Sequence, residues 1–468
     1  MTDARNITSG KEFLGEAPVN RLLLQFAIPS IVAMLVGSLY NIVDQFFIGR
    51  SVGELGNAAT NIAFPLSIAC VAIALLFGIG GASAFNLSMG KKETDKAVSY
   101  LGNAVVMLFG CGIILLLITQ LFLQPMLRFF GSPENVMEYA GIYTRIVSLG
   151  FPFLIVTTGG AHLIRADGRP QVAMMCNLSG AIINTILDAL FVFGFHWGMA
   201  GAAAATVVGQ VFSGLLAIWF LSHCRSVKIR RENLVLHGEN IIRIISLGAA
   251  PCSNQLGMMI VQIVMNKSLK YYGSLSAYGE AIPIACVGII TKVNQVFMSF
   301  IIGISQGLQP IVSFNYGAKK YNRVKKGYFL AIITGFLLSL FAFAMFQFAP
   351  RQIISIFGNG TPEYYEFAVH YFRIFLFFTF LNFMQPITSN FFTSIGKPKG
   401  GVFLSLTRQI LFLLPLILIF PIFMGIDGIM YAGPIADLMA GVVAITMLKI
   451  EFGRAEWKNT DLQKQNQK

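Results

Sequence analysis

The stretch LLLQFAIPSIVAMLVGSLYNIVDQFFIG, Leu22 to Gly49, decides the fold class. It is apolar almost throughout, with one proline, Pro29, and one ionisable side chain, Asp44. A lipid-spanning helix needs about 20 apolar residues at ~1.5 Å of rise each, so this segment crosses with a turn or two to spare. A carboxylate at such depth costs about 2.5–3.5 kcal/mol on insertion scales and ordinarily faces a protein interior or a wet cavity. What Asp44 does there becomes the central question.

The rest of the chain extends the same reading. Its 468 residues are 55% hydrophobic and only 12% charged, about half the charge of an ordinary soluble protein. The mean hydropathy is +0.69. The first 20 residues are polar and hold no leader pattern, so Leu22–Gly49 reads as an uncleaved first span. The six cysteines show no paired spacing and read as small buried hydrophobes rather than a disulfide or metal framework. No phosphate-cradling glycine loop, metal-ligand spacing or hydrolase elbow is present, which argues against an enzyme.

Twelve apolar segments follow one another, at about 22–49, 58–88, 97–123, 136–163, 171–195, 199–222, 241–269, 277–314, 327–349, 364–394, 401–423 and 428–450. With the N-terminus placed inside, 25 of the 34 Lys and Arg residues fall on the inner side and 5 on the outer. By the positive-inside rule both termini are expected in the cytoplasm of a cell-membrane protein. The net charge of +13 is therefore topological and implies no nucleic-acid partner.

The two halves repeat at an offset of about 227. Gly90 with Lys91 and Lys92 matches Gly317 with Lys319 and Lys320, and Gly168-Arg169-Pro170 matches Gly396-Lys397-Pro398. Six spans per repeat give both copies one orientation, so their pseudo-two-fold axis lies along the membrane normal. The expectation is an all-α membrane protein with twelve transmembrane helices in two six-helix lobes. Residues 1–222 would form the first lobe, 223–239 a basic linker, 240–452 the second lobe and 453–468 a polar tail.

Duplicated features read as structural and unduplicated ones as functional. Asp44 in the first span, Asn184 and Asp188 in the fifth and Thr206 in the sixth lie at comparable depth from the outer face. Asn184 and Asp188, four apart, share a helix face. The second half offers Met265, Leu411 and Pro415 at the positions of Asp44, Asn184 and Asp188. Two close carboxylates resist ionising together, so the pair can hold a proton at neutral pH; its oxygens could equally coordinate Na⁺. The bland alternative is an interhelical hydrogen-bond network. Secondary polar candidates are Glu280, near an outer end, and Lys292, mid-span and in need of an acid, for which Asp437 is available. Arg408 reads as a snorkelling side chain, and His162 as a satisfied structural histidine. With no nucleotide site and no cofactor, transport would draw on an ion gradient.

The opening span through Gly53, the Gln306-Gly307-x-Gln309-Pro310 stretch leading to Asn315-Tyr316-Gly317-Ala318, and the Gly-Arg/Lys-Pro turns at 168–170 and 396–398 together resemble the multidrug and toxic compound extrusion (MATE) family. The resemblance covers roughly residues 12–450. It implies a V-shaped pair of six-helix lobes exporting amphipathic, often cationic, organic compounds by alternating access, in exchange for H⁺ or Na⁺. It also implies a coupling site in the N-terminal lobe, carried onto Asp44, Asn184, Asp188 and Thr206. Some members place acids in the seventh and tenth spans; here those spans offer Gln255, Gln262, Asn266, Asn382 and Gln385, which argues against a site of that second type. The competing expectation is a flippase for lipids or lipid-linked oligosaccharides, suggested by the intramembrane basic residues Arg145, Lys292, Arg373 and Arg408. Two lobes in one chain supply the repeat interface, so a monomer suffices.

Overall fold

The computed structural model describes residues 10–130, 132–279, 281–356, 362–455 and 457. Among these the chain is helical, with no strand. In lipid every backbone donor and acceptor must be satisfied within its own segment, which long helices achieve. Each expected segment coincides with a helix or a bent helical unit. The first six are α1 (Val19–Ser51), α2 (Glu54–Gly90), α3 (Thr94–Leu121), α4 (Glu134–Ser148 with Phe151–Ala166), α5 (Pro170–Gly194) and α6 (Gly198–Ser222). The second six are α7 (Gly238–Ser274), α8 (Ala281–Gly317), α9 (Tyr321–Phe348), α10 (Pro362–Ser394), α11 (Pro398–Met424) and α12 (Ile426–Phe452).

Ten described segments have the length and composition to cross a bilayer, and α4 makes eleven when its two pieces, bent by 56° just before Pro152, count as one span. Helix α12 adds 27 residues, about 40 Å at ~1.5 Å per residue. Large apolar side chains face outward at helical spacing, as Ile333, Leu337 and Phe341 do on α9. Such a belt is the face a multi-pass membrane protein offers to lipid.

Two large cores divide along the repeat, with an exchange. The first is built from residues of α2 to α6 and takes Ile244 and Leu247 from the start of α7. The second is built from α7 to α12 and takes Leu22, Leu23, Phe26 and Ala27 from the start of α1. Each half thus lends the beginning of its first helix to the other. Under the repeat α1 corresponds to α7 and α2 to α8, so the packing of α1 on α8 and of α7 on α2 is one contact made twice. That is the isologous pattern expected around a two-fold axis.

The ends of α2 and α8 approach closely at the basic face, the face carrying Lys91, Lys92, Lys319 and Lys320. A Cβ on Gly90 would lie 2.1 Å from the Phe314 carbonyl oxygen, and one on Gly317 would lie 2.2 Å from that of Leu87. Gly90 and Gly317 are repeat mates, as are Leu87 and Phe314. Any larger residue would hold the ends of α2 and α8 apart, so this crossing closes the basic face.

The segment at 223–239 is docked on the first half. The Asp167 carboxylate accepts from the backbone N–H groups of Arg225 at 2.8 Å and Ser226 at 2.9 Å, pairs with Arg169 at 2.8 Å, and accepts from the Ser226 hydroxyl. The Asn103 amide donates to the carbonyls of Asn233 (3.2 Å) and Val235 (2.7 Å), and its oxygen accepts from His237 N–H (3.0 Å). Removing the partner of such backbone groups costs about 1–3 kcal/mol. Asn103→Ala should therefore loosen the segment without disturbing the spans. Limited proteolysis with trypsin checks this: cleavage at the exposed Arg230–Arg231 should accelerate several-fold in the variant.

Trp457, beyond α12, is also anchored. Trp457, inside the segment expected to be a polar tail, is fully buried. Its indole donates to Glu451 at 3.1 Å, its carbonyl accepts from Lys325 at 3.1 Å, and its ring packs against Tyr316, Tyr321, Phe391 and Phe452.

Candidate functional site: an acid cluster in the first half

Asp44 enters from α1, Asn184 and Asp188 from α5, and Thr206 from α6. All four side chains are buried, at 9%, 2%, 0% and 4% exposure. Asn184 Nδ2 donates to Thr206 Oγ1 at 3.2 Å, and Thr206 Oγ1 donates to the Ala202 carbonyl at 3.0 Å. Asp188 lies within electrostatic reach of Asp44. The structure therefore brings the four expected residues into one place inside the first half.

The local backbone explains how α5 and α6 approach so closely. Gly180 and Gly209 face each other, and a Cβ on Gly209 would lie 2.7 Å from the Gly180 carbonyl oxygen. Immediately after Asp188 the helix widens into a π turn over Ala189–Gly194. Such turns are rare and cluster at functional sites.

The informative feature is what the acids lack. Among the described residues, both oxygens of Asp188, Oδ1 of Asp44 and Oδ1 of Asn184 have no hydrogen-bond donor. Four buried acceptor oxygens without donors are costly in a low-dielectric interior. A proton on a carboxylate turns it into a donor, and a hard cation suits carboxylate and carbonyl oxygens. Either would relieve the deficit, and the donor set fits either.

Two further residues of the cluster were not among the sequence candidates. Tyr40, one helical turn before Asp44, interacts with Asp44 and Asp188 and reaches the Thr206 hydroxyl. Tyr143, from the Glu134–Ser148 piece of α4, interacts with the same two acids and with Tyr40. The spacing of Tyr40 and Asp44, four residues on one helix, was a usable signal. Tyr143 offered none, since its repeat mate Tyr371 is a core residue with no exposure.

The secondary candidates do not join this cluster. Glu280 lies outside the described residues. Lys292 is half-buried on α8. Asp437 is not its partner: Asp437 pairs with Arg408 at 2.5 Å, with the aspartate side chain 2% and the arginine 15% exposed. Arg408 sits in a second π turn, Thr407–Leu413, which packs directly on α12, so its guanidinium turns into the bundle instead of snorkelling. Removing one partner of a buried pair costs about 3–5 kcal/mol, whereas replacing both by apolar groups is often neutral. Asp437→Asn should lower the thermal midpoint markedly, and Arg408→Met with Asp437→Leu should restore most of it in a melting assay. His162 is buried, with Nδ1 2.9 Å from the Arg165 guanidinium.

Comparison with known proteins fixes the family. The MatE family model matches residues 29–190 and 254–419, one range in each half. The chain belongs to the MatE family. Among curated relatives, the multidrug export protein MepA of Staphylococcus haemolyticus (strain JCSC1435) is 22% identical over 438 residues, covering 92% of this chain and 94% of that one. Among solved structures, a multidrug resistance MATE family transporter of the MOP superfamily in an outward-facing conformation superposes with a TM-score of 0.88 at 21% identity, covering 95% of this chain and 98% of that one. A MATE structure in a bent conformation also gives 0.88, at 20% identity and 97% and 99% coverage. The fold is thus the two-lobed, twelve-helix fold of MATE transporters, and the chain is a transporter, not an enzyme.

Proposed function

We propose that this MatE member is a secondary-active antiporter. It exports amphipathic, often cationic, organic compounds from the cytoplasm, and H⁺ or Na⁺ entering from outside loads Asp44 and Asp188. The observation that carries the reading is the set of oxygens on Asp44, Asn184 and Asp188 that have no donor among the described residues, at positions where the second half has Met265, Leu411 and Pro415. A group that binds one conformation better than the other shifts the balance between them by that difference in affinity. Loading the acid cluster would favour one state, and unloading it the other. The closed crossing of Gly90 and Gly317 at the basic face supplies a barrier that such a cycle must open and close.

The named multidrug export activity of the MepA relatives supports the substrate class, and on this reading the partners are small organic molecules and the lipid bilayer, with no nucleic acid. The basic face is cytoplasmic on this reading, by the distribution of Lys and Arg. Both termini then lie inside a bacterial cell membrane, and a monomer is sufficient. The flippase alternative loses one of its supports, because Arg408 is neutralised by Asp437 and gives no free charge to a cavity.

The test is dye export from proteoliposomes, with ethidium as reporter and a pH or Na⁺ gradient imposed separately. Export under a pH gradient alone identifies a proton antiporter, and export only with Na⁺ changes the ion and keeps the site. Stabilisation by lipid-linked sugars, with no dye flux under either gradient, overturns the assignment.

A further inference from the structure

The basic face holds a cavity of about 650 Å³ directly over the Gly90–Gly317 crossing. Its charged lining is Lys91, Lys92 and Lys96 from the first half and Arg243 and Lys319 from the second, with Glu93 as the one acid. Among the described residues, none of the four lysines has a carboxylate partner, and the Arg243 guanidinium reaches no closer than 3.5 Å to the Gly396 carbonyl. Positive charge on an inner face is ordinary. A cleft of ligand size that gathers it from both halves is not.

The backbone adds a second, independent observation. Helices α2 and α8 both end in a Schellman motif. Glu93 N–H bonds to Ser88 O and Lys92 N–H to Met89 O; Lys320 N–H bonds to Asn315 O and Lys319 N–H to Tyr316 O. The residue that turns left-handed is Lys92 (φ 66°) in one and its repeat mate Lys319 (φ 59°) in the other. Glycine is the usual residue there, because a side chain is strained at that φ. The same chain uses glycine where α4 and α10 end in the same motif, at Gly168 (φ 85°) and Gly396 (φ 76°). Lysine is kept at the two strained turns that line the cavity. Strain held at a specific position points to a use for the side chain.

We propose that this cavity binds a phosphate-bearing anion with two or more negative charges, bridging the two halves across the closed crossing. The walls belong to different halves, so the site is whole only while α2 and α8 are crossed. The anion therefore binds the closed form alone and stabilises it by mass action. Binding itself needs no coupling ion; that it slows opening towards the cytoplasm rests on the proposed transport cycle.

Thermal melting of the full chain tests the site without gradient or substrate, so its failure is separate from failure of the antiport reading. Pyrophosphate, at about 100 times its dissociation constant, should raise the midpoint by roughly 3 °C over NaCl of equal ionic strength. Lys92→Gly with Lys319→Gly should be at least as stable as the parent without anion, since it relieves both turns, and should lose the pyrophosphate shift. In nanodiscs, a shift on adding phosphatidylglycerol to phosphatidylcholine, again lost in the variant, assigns the site to a lipid headgroup. A shift with pyrophosphate only assigns it to a soluble anion. An equal shift in parent and variant, or no shift with either probe, overturns the proposal.

Discussion

Asp44→Asn is expected to cut gradient-driven dye export by about 5–150-fold, the range spanned by coupling free energies of 1–3 kcal/mol. Asparagine keeps the volume and one acceptor oxygen, so α1 should pack as before and the melting midpoint should hold. What disappears is the carboxylate whose Oδ1 has no donor among the described residues. A neutral amide at this position cannot be loaded and unloaded, and a site that does not distinguish two states shifts nothing between them. Asp188→Asn should act in the same direction, and the double variant should be little worse than either single one, because residues of one cluster are not additive. Proteoliposomes carrying the strongest gradient found for the parent provide the measurement. Wild-type export by Asp44→Asn would remove the acid cluster from the mechanism.

Gly90→Ala should open the basic face. The alanine methyl is itself the atom that would sit 2.1 Å from the Phe314 carbonyl, and nothing there is a flexible side-chain end that can swing aside. Overpacking of this kind costs about 1–3 kcal/mol, roughly a 5- to 150-fold shift away from the crossed form. Spin labels on the ends of α2 and α8 should report a longer or broader distance distribution than in the parent. Gly317→Ala should do the same, and the double variant should not double the effect, since both methyls push on one crossing. A variant that melts earlier with unchanged distances would show that the crossing is merely structural.

Much of this architecture was legible in the sequence because hydrocarbon imposes a simple code. Segment length, Lys and Arg placement and the repeat of Gly90-Lys91-Lys92 with Gly317-Lys319-Lys320 are set by the bilayer and by duplication. The clustering of Asp44, Asn184, Asp188 and Thr206 followed from depth, because residues at equal depth on neighbouring helices meet. What escaped the sequence depends on helix rotation and on which helix neighbours which. The Arg408–Asp437 pair needs the π turn at Thr407–Leu413, which re-aims the arginine and has no composition signal. Tyr143 looked like its core counterpart Tyr371. The exchange of the first turns of α1 and α7 between halves is invisible to a pattern that assigns each span to its own repeat. The left-handed lysines belong to the repeat, but their φ angles are a property of the turn.

The reciprocal packing of α1 on α8 and α7 on α2 bears on stoichiometry. A pair of identical half-length chains could satisfy the same faces, but it would carry every acid twice and face the same loading problem on both sides of its axis. Fusion into one polypeptide frees the copies to diverge. Here Met265, Leu411 and Pro415 stand in the second half where Asp44, Asn184 and Asp188 stand in the first. On the proposed cycle a single loading event then resets a barrier built by both halves, and the exchange ratio is set by one cluster rather than two.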